Sequence, residues 1–191
     1  EKNVGYLALE SLITLALALT KLEVGKINIS GIRNGIHEVL PFSKPFQSSD
    51  GQRIISQFTF KYADSMSADL GLPQFLTQIQ ERFTPSTSFT KILFIISDGF
   101  CNKNLVRPCA LSLEDSGVLV IYIILDKKDE KGSVLNVRST SFEEVNGQRR
   151  VRLQGYMEDF PFRHYIIVQD VHTLTQVLLG VLREYFGRVD N

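Results

Sequence analysis

Apolar positions recur along this chain with different periods, and each period predicts a different element. From Val4 to Leu22 leucines and alanines follow one another, broken only by a few polar residues such as Glu10, Ser11, Thr14 and Lys21. That predicts a helix covered around almost its whole circumference, of the kind that packs on a sheet. In Lys26 to Pro41, "KINISGIRNGIHEVLP", isoleucines alternate with polar residues on both sides of Asn34-Gly35. Both turn residues of such a dipeptide accept positive φ, so the stretch predicts an antiparallel hairpin. Ile92 to Ser97 and Leu119 to Leu125 do not alternate: they are unbroken apolar runs, as parallel strands covered on both faces require. A helix-sized segment from about Leu105 to Asp115, closed by Gly117, joins them into a β-α-β unit, whose crossover should be right-handed.

The remaining segments give weaker signals. A Pro/Ser-rich loop from Pro41 to Asp50 leads into a short helix over Gly51 to Phe58. Thr59 to Leu72 has no clear period, and Pro73 is expected to open the next helix, to about Arg82, because proline is tolerated in a first turn. Tyr165 to Val168 reads as a third buried strand, and Asp170 as the cap of a final helix over Val171 to Phe186. The charged stretch after Asp126, with "KKDEKG" and "NGQRR", reads as a solvated loop, or else as a partner-binding insertion over 127–155. This order of elements predicts one α/β domain over 1–191, with a mostly parallel sheet, helices on both faces and an antiparallel edge hairpin.

Composition narrows the functions open to such a domain. The 191 residues are 43% hydrophobic and 22% charged, in the range of soluble globular proteins. Lysine plus arginine (21) equals aspartate plus glutamate (21), so bulk charge offers no attraction for nucleic acid or membranes. Cys101 and Cys109 form no Cys-x-x-Cys pair, and the three histidines are scattered, which leaves no zinc spacing and suggests free thiols in a reducing compartment. The uncharged run from Ser11 to Thr20 is about half of the roughly 20 apolar residues a bilayer span needs, and no basic segment precedes it as in a signal peptide. Asn28-Ile29-Ser30 has the form of a glycosylation sequon, but it lies within a strand-like run.

Candidate chemistry concentrates where the greasiest strand ends, in "KILFIISDGF", Lys91 to Phe100. Ligands of open α/β sheets sit outside the carboxyl ends of the parallel strands, the edge where Asp98 falls. A short acidic side chain there can cap its own loop. It can also be a metal ligand, a phosphoacceptor or a catalytic acid. Nothing in the chain matches a nucleophile elbow, a phosphate-cradling glycine loop or a zinc motif, and a lone carboxylate is poor equipment for acid–base chemistry. A hard cation such as Mg²⁺ suits one strand-end carboxylate joined by hydroxyls and waters.

"SDG" at the end of a buried strand, after a leucine-rich helix and a hairpin, resembles the von Willebrand factor A domains, which carry a metal-ion-dependent adhesion site. "LALESL", "LEVGKINI", "PFSKPF" and above all "YMEDFPFRHYIIVQDV" (Tyr156 to Val171) are similar to the C-terminal domain of the midasin family, large nuclear AAA ATPases of 60S ribosome assembly. The likeness extends over nearly the whole chain. It implies a non-enzymatic domain in which Mg²⁺ completes its shell with an acidic side chain of a partner. The partners implied are ubiquitin-like domains of assembly factors on the pre-60S particle, in the nucleolus and nucleoplasm, with no nucleic acid or membrane contacted directly. Asp98 matches the family's strand-end aspartate, with Gly99 beside the partner. Ser65, or Ser67, in "KYADSMSAD" stands nearest the family's loop threonine. The family's Asp-x-Ser-x-Ser loop, and the central strand before it, have no counterpart. That strand is therefore expected just upstream of Glu1, since a parallel sheet lacking it would leave backbone groups unpaired. Gly31-Ile32-Arg33 stands where the family carries an aromatic–glycine pair.

Overall fold

The structure, a computed structural model, describes residues 2–33, 35–58, 65–83, 90–126, 133–145 and 147–189. In chain order it contains α1 (Lys2–Lys21), β1 (Ile29–Arg33), β2 (Gly35–Leu40), α2 (Asp50–Gln57), α3 (Ser65–Arg82), β3 (Lys91–Ser97) and α4 (Lys103–Asp115). There follow β4 (Val118–Leu125), β5 (Arg138–Val145), β6 (Gln148–Gly155), β7 (His164–Val168) and α5 (Val171–Val189), with single 3₁₀ turns at Val134–Asn136 and Tyr156–Asp159.

β4 explains the layering. All its side chains are buried, and alternate ones point to opposite faces of the sheet. Leu119, Ile121, Ile123 and Leu125 pack against Leu15 and Leu19 of α1 and Leu174, Leu178 and Leu182 of α5. Val118, Val120, Tyr122 and Ile124 pack on the other side against Phe75, Leu76 and Ile79 of α3 and Val106, Ala110 and Leu113 of α4. The unbroken apolar run is thus a strand covered twice. β3 and β7 flank it in parallel, in the order β3-β4-β7, with Ser97 level with Ile124 and Val168 with Leu125. The α/β class and parallel sheet expected from the sequence are those observed.

The β1–β2 hairpin pairs antiparallel, with Arg33 level with Gly35, whose φ is +119°; Asn34 lies outside the described residues. It forms a small sheet of its own, held on α1 and α2 through Ala16, Ile29, Val39, Leu40, Phe46 and Ile54. Among the described residues no strand pairs with the outer edge of β3.

Some expectations are corrected. Pro73 does not open α3 but lies inside it, because the helix begins at Ser65, within the segment that lacked a period. Helical pairing continues past the missing proline N–H, and the Thr77 hydroxyl donates to the Pro73 carbonyl at 3.1 Å. The charged stretch is only partly loop: β5 and β6 pair antiparallel in full register across it, with Gly147 at φ +76° in the turn. Residues 127–132 lie outside the described residues. Finally, α1 is covered less completely than its composition suggests. Ser11, Leu15, Ala16 and Leu19 are buried, whereas Tyr6 and Leu17 face solvent. Val4–Lys21 is long and apolar enough to cross a membrane by length and composition, but here it packs on α5 and the sheet.

Candidate functional site

Asp98 follows directly on β3, at the carboxyl edge of the parallel sheet, and its side chain is exposed. Oδ1 accepts a hydrogen bond from the Phe100 N–H at 3.1 Å and one from the Ser97 hydroxyl at 3.2 Å. Oδ2 has no bond among the described residues. The aspartate therefore caps its own loop with one oxygen, as the capping reading of the sequence requires, and leaves the other unbonded among the described residues.

Gly99 makes that geometry available. Its φ is +86°, and a Cβ there would lie 2.9 Å from Ile124 Cγ2, so the residue must be glycine on conformational and steric grounds. Beneath it, Tyr122 of β4 is buried and shares a hydrogen bond with Ser97; burial raises its ionisation far above the usual range. Ser97 thus ties a buried tyrosine to the exposed aspartate.

A residue that sequence reasoning left without a role completes the site. The Tyr156 hydroxyl accepts from the Cys101 N–H at 3.0 Å and faces the carbonyls of Gly99 at 3.1 Å and Cys101 at 3.3 Å. Burial pushes its ionisation up to about 12, so at neutral pH it remains a donor. Lys103, opening α4, donates to the Tyr156 carbonyl and rests its ammonium 4.0 Å from the ring centroid. Burial holds this lysine below the usual lysine range. Arg107, one turn along α4, pairs with Asp159, and Phe100 stacks tilted on Tyr156 at 5.5 Å. The motif 156–159 is therefore a clasp on the loop 98–101. Its signal in the sequence was the specificity of "YMED", which says that a segment matters but not what it touches.

The other strand-end carboxylate plays a different part. Asp126, at the end of β4, is buried and accepts from the Ser133 hydroxyl at 2.8 Å, the Val134 N–H at 2.8 Å and the Gln169 amide at 2.9 Å. It anchors the chain returning to the sheet edge. Ser65 and Ser67 open α3, but their side chains lie outside the described residues. The pairing of these hydroxyls with Asp98 therefore falls outside the described residues.

In kind, the donors here fit a hard cation: a free carboxylate oxygen with hydroxyls nearby. In number they do not fill an octahedron, for no group of three His, Cys, Asp or Glu side chains assembles among the described residues.

A parallel sheet between two helical layers, with an aspartate-glycine loop at its carboxyl edge, is a von Willebrand factor A-like fold. Two solved structures share this fold. BatB from Bacteroides thetaiotaomicron superposes with a TM-score of 0.55 at 12% identity, covering 92% of this chain and 87% of that one. An aerotolerance-related membrane protein from Bacteroides fragilis gives 0.52 at 16% identity, covering 90% and 86%. No protein-family model matches the chain. Among curated proteins the likeness is to midasin. The chain is 25% identical to midasin of Dictyostelium discoideum over 189 residues, which is 95% of this chain and 3% of that protein. It is equally identical to midasin of Giardia intestinalis over the same length, 4% of that relative. The chain thus spans a small part of the midasins it resembles.

Proposed function

We propose that this domain binds protein rather than catalysing a reaction, and that it does so through Asp98 and Mg²⁺. The observation that carries the reading is the exposed Asp98 at the carboxyl edge of the sheet, with Oδ1 bonded in its loop and Oδ2 left unbonded among the described residues. A divalent ion held there makes a local positive spot on a domain of zero formal charge, and such a spot selects carboxylates. A partner's Asp or Glu would complete the shell, beside Gly99. Ser65 or Ser67 is the hydroxyl we assign to the metal, and a further strand on the open edge of β3 would bring the remaining ligands.

Likeness to midasin supports the partner class: ubiquitin-like domains of 60S assembly factors, captured in the nucleus so that an ATPase motor elsewhere in the protein can pull them from the pre-ribosome. The competing use of Asp98 as a phosphoacceptor or general acid has little support. It needs a second carboxylate free at the same edge, and three donors already engage Asp126.

Titration with a ubiquitin-like domain in Mg²⁺, and again in EDTA, tests the reading. Binding should require Mg²⁺, and Asp98→Ala should weaken it at least about a hundredfold, the loss of roughly 3 kcal/mol expected when a ligand to a bridging cation is removed. Binding indifferent to EDTA would instead favour a metal-free docking scaffold. That second reading has its own observation: the β5–β6 hairpin stands clear of the body with Val151 and Leu153 on one face, 62% and 65% exposed.

A further inference from the structure

The most distinctive motif of the sequence lies against the loop that carries Asp98. The Tyr156 hydroxyl bonds the backbone on both sides of Phe100, accepting from the Cys101 N–H at 3.0 Å and donating toward the Gly99 carbonyl at 3.1 Å. Without it, a half-buried N–H and a carbonyl in the Asp98 loop would lose their partner, and such groups seldom go unsatisfied. The same loop contains Gly99 at positive φ, and because glycine is conformationally permissive the shape of the loop depends on contacts such as these. Tyr156 is itself held at several points. Its N–H donates to the Val137 carbonyl at 2.8 Å, its carbonyl accepts from Lys103, and its ring packs on Phe100 and Phe160. Asn102 caps α4 through the Leu105 N–H, so the loop is pinned at its far end as well.

We propose that Tyr156 is a positioning residue for Asp98: its hydroxyl fixes the 98–101 loop in the shape that holds the exposed carboxylate at the sheet edge. The proposal rests on Asp98 being the metal ligand, as inferred above, and it assigns to the 3₁₀ turn at Tyr156–Asp159 a role in that same site. Tyr156 touches neither metal nor partner. It acts through the backbone of Gly99 and Cys101.

The test compares the unaltered 191-residue chain with Tyr156→Phe, which keeps the ring and removes only the hydroxyl. Ser116→Ala serves as control, deleting the 2.6 Å bond to the Leu113 carbonyl at the other end of α4. Amide hydrogen exchange is read without metal, and Mn²⁺ uptake by paramagnetic broadening of the Gly99 and Phe100 amides, at a temperature where every variant is folded. Tyr156→Phe should speed exchange at Cys101 and Phe100 roughly tenfold and weaken Mn²⁺ uptake about fivefold, the scale of one net hydrogen bond. The control should change neither. A purely structural tyrosine would lower the melting temperature and leave Mn²⁺ uptake unchanged, and that result overturns the proposal. Unchanged exchange at Cys101 and Phe100 overturns it too. If the unaltered chain takes up no Mn²⁺, the metal reading fails before any variant is compared. The exchange data then decide by themselves whether Tyr156 fixes the loop.

Discussion

At the scale of single residues, the site depends on groups that cannot be exchanged even for near relatives. Gly99 combines positive φ with a neighbour 2.9 Å from where a Cβ would stand, and that neighbour belongs to the buried Ile124. Gly99→Ala should cost about 2–4 kcal/mol, because backbone strain and overpacking add. Urea unfolding of the two chains checks this, and a cost under about 0.5 kcal/mol would mean that the loop relaxes freely. Asp50 carries a second residue-scale prediction, away from the site. Its buried carboxylate accepts from Lys44 at 2.7 Å, from the Gln47 N–H at 3.0 Å and from Arg53 at 3.1 Å, and the Lys44 bond first of all holds its pKa below the usual carboxylate value. A lowered folded-state pKa means that the stabilisation is present at neutral pH and is lost as pH falls through the acid range. Asp50→Asn should therefore be less stable than the unaltered chain at pH 7, with the difference closing as both are taken to acid. A difference independent of pH would show that charge is not the cause. Asp98 could be picked out in the sequence because strand, carboxylate and glycine are adjacent. Tyr156 could not, since its bonds to Gly99 and Cys101 cross 57 and 55 residues of chain, and nothing in a linear pattern reports a contact of that length.

At the scale of elements, the same rule succeeded once and failed once. Asn34-Gly35 announces its hairpin because isoleucines alternate on both sides. Asn146-Gly147 is flanked by "SFEEV" and "QRRVRL", whose described apolar residues, Val151 and Leu153, face solvent, so among the described residues no buried face imposes an alternation. The β5–β6 pair is therefore held by its ladder and turn rather than by a core. Helix α3 was misplaced for the opposite reason. Proline is a boundary signal, but packing of Phe75, Leu76 and Ile79 on the sheet outweighs one missing backbone bond. That imbalance is measurable. Pro73→Ala restores an N–H in mid-helix and removes a clash with the preceding turn, so it should stabilise the domain by about 1–2 kcal/mol. Chemical denaturation would show the gain as a higher midpoint at unchanged slope. Destabilisation would mean that the proline ring itself packs better than the helix it interrupts.

Across the whole molecule, the layers were legible because the unbroken apolar run of β4 demands cover on both faces, and the flanking helices supply it. The open edge of β3 was not legible in this chain's own pattern. A run such as "KILFIIS" looks the same whether one or two strands pair with it, and only the ladder shows that β4 alone does so among the described residues. Stability should be distributed accordingly. The β4 amides are bonded to neighbours on both sides and enclosed by two helical layers, so they should exchange with solvent only when the domain unfolds globally. The β5–β6 hairpin touches the body chiefly through the turn at Tyr156–Asp159, and an isolated two-stranded ribbon is marginal in water. Its amides should exchange by local opening, at a free energy several kcal/mol below that of β4. Residue-resolved exchange over a urea series separates the two cases. The β4 amides should follow the global unfolding slope, whereas those of Arg149 to Gln154 should be nearly independent of urea until the global transition. Hairpin amides as slow as those of β4 would mean that the ribbon is part of the folding unit and not an appendage to it. In that event the clasp at Tyr156 would transmit the state of the hairpin directly to the loop of Asp98.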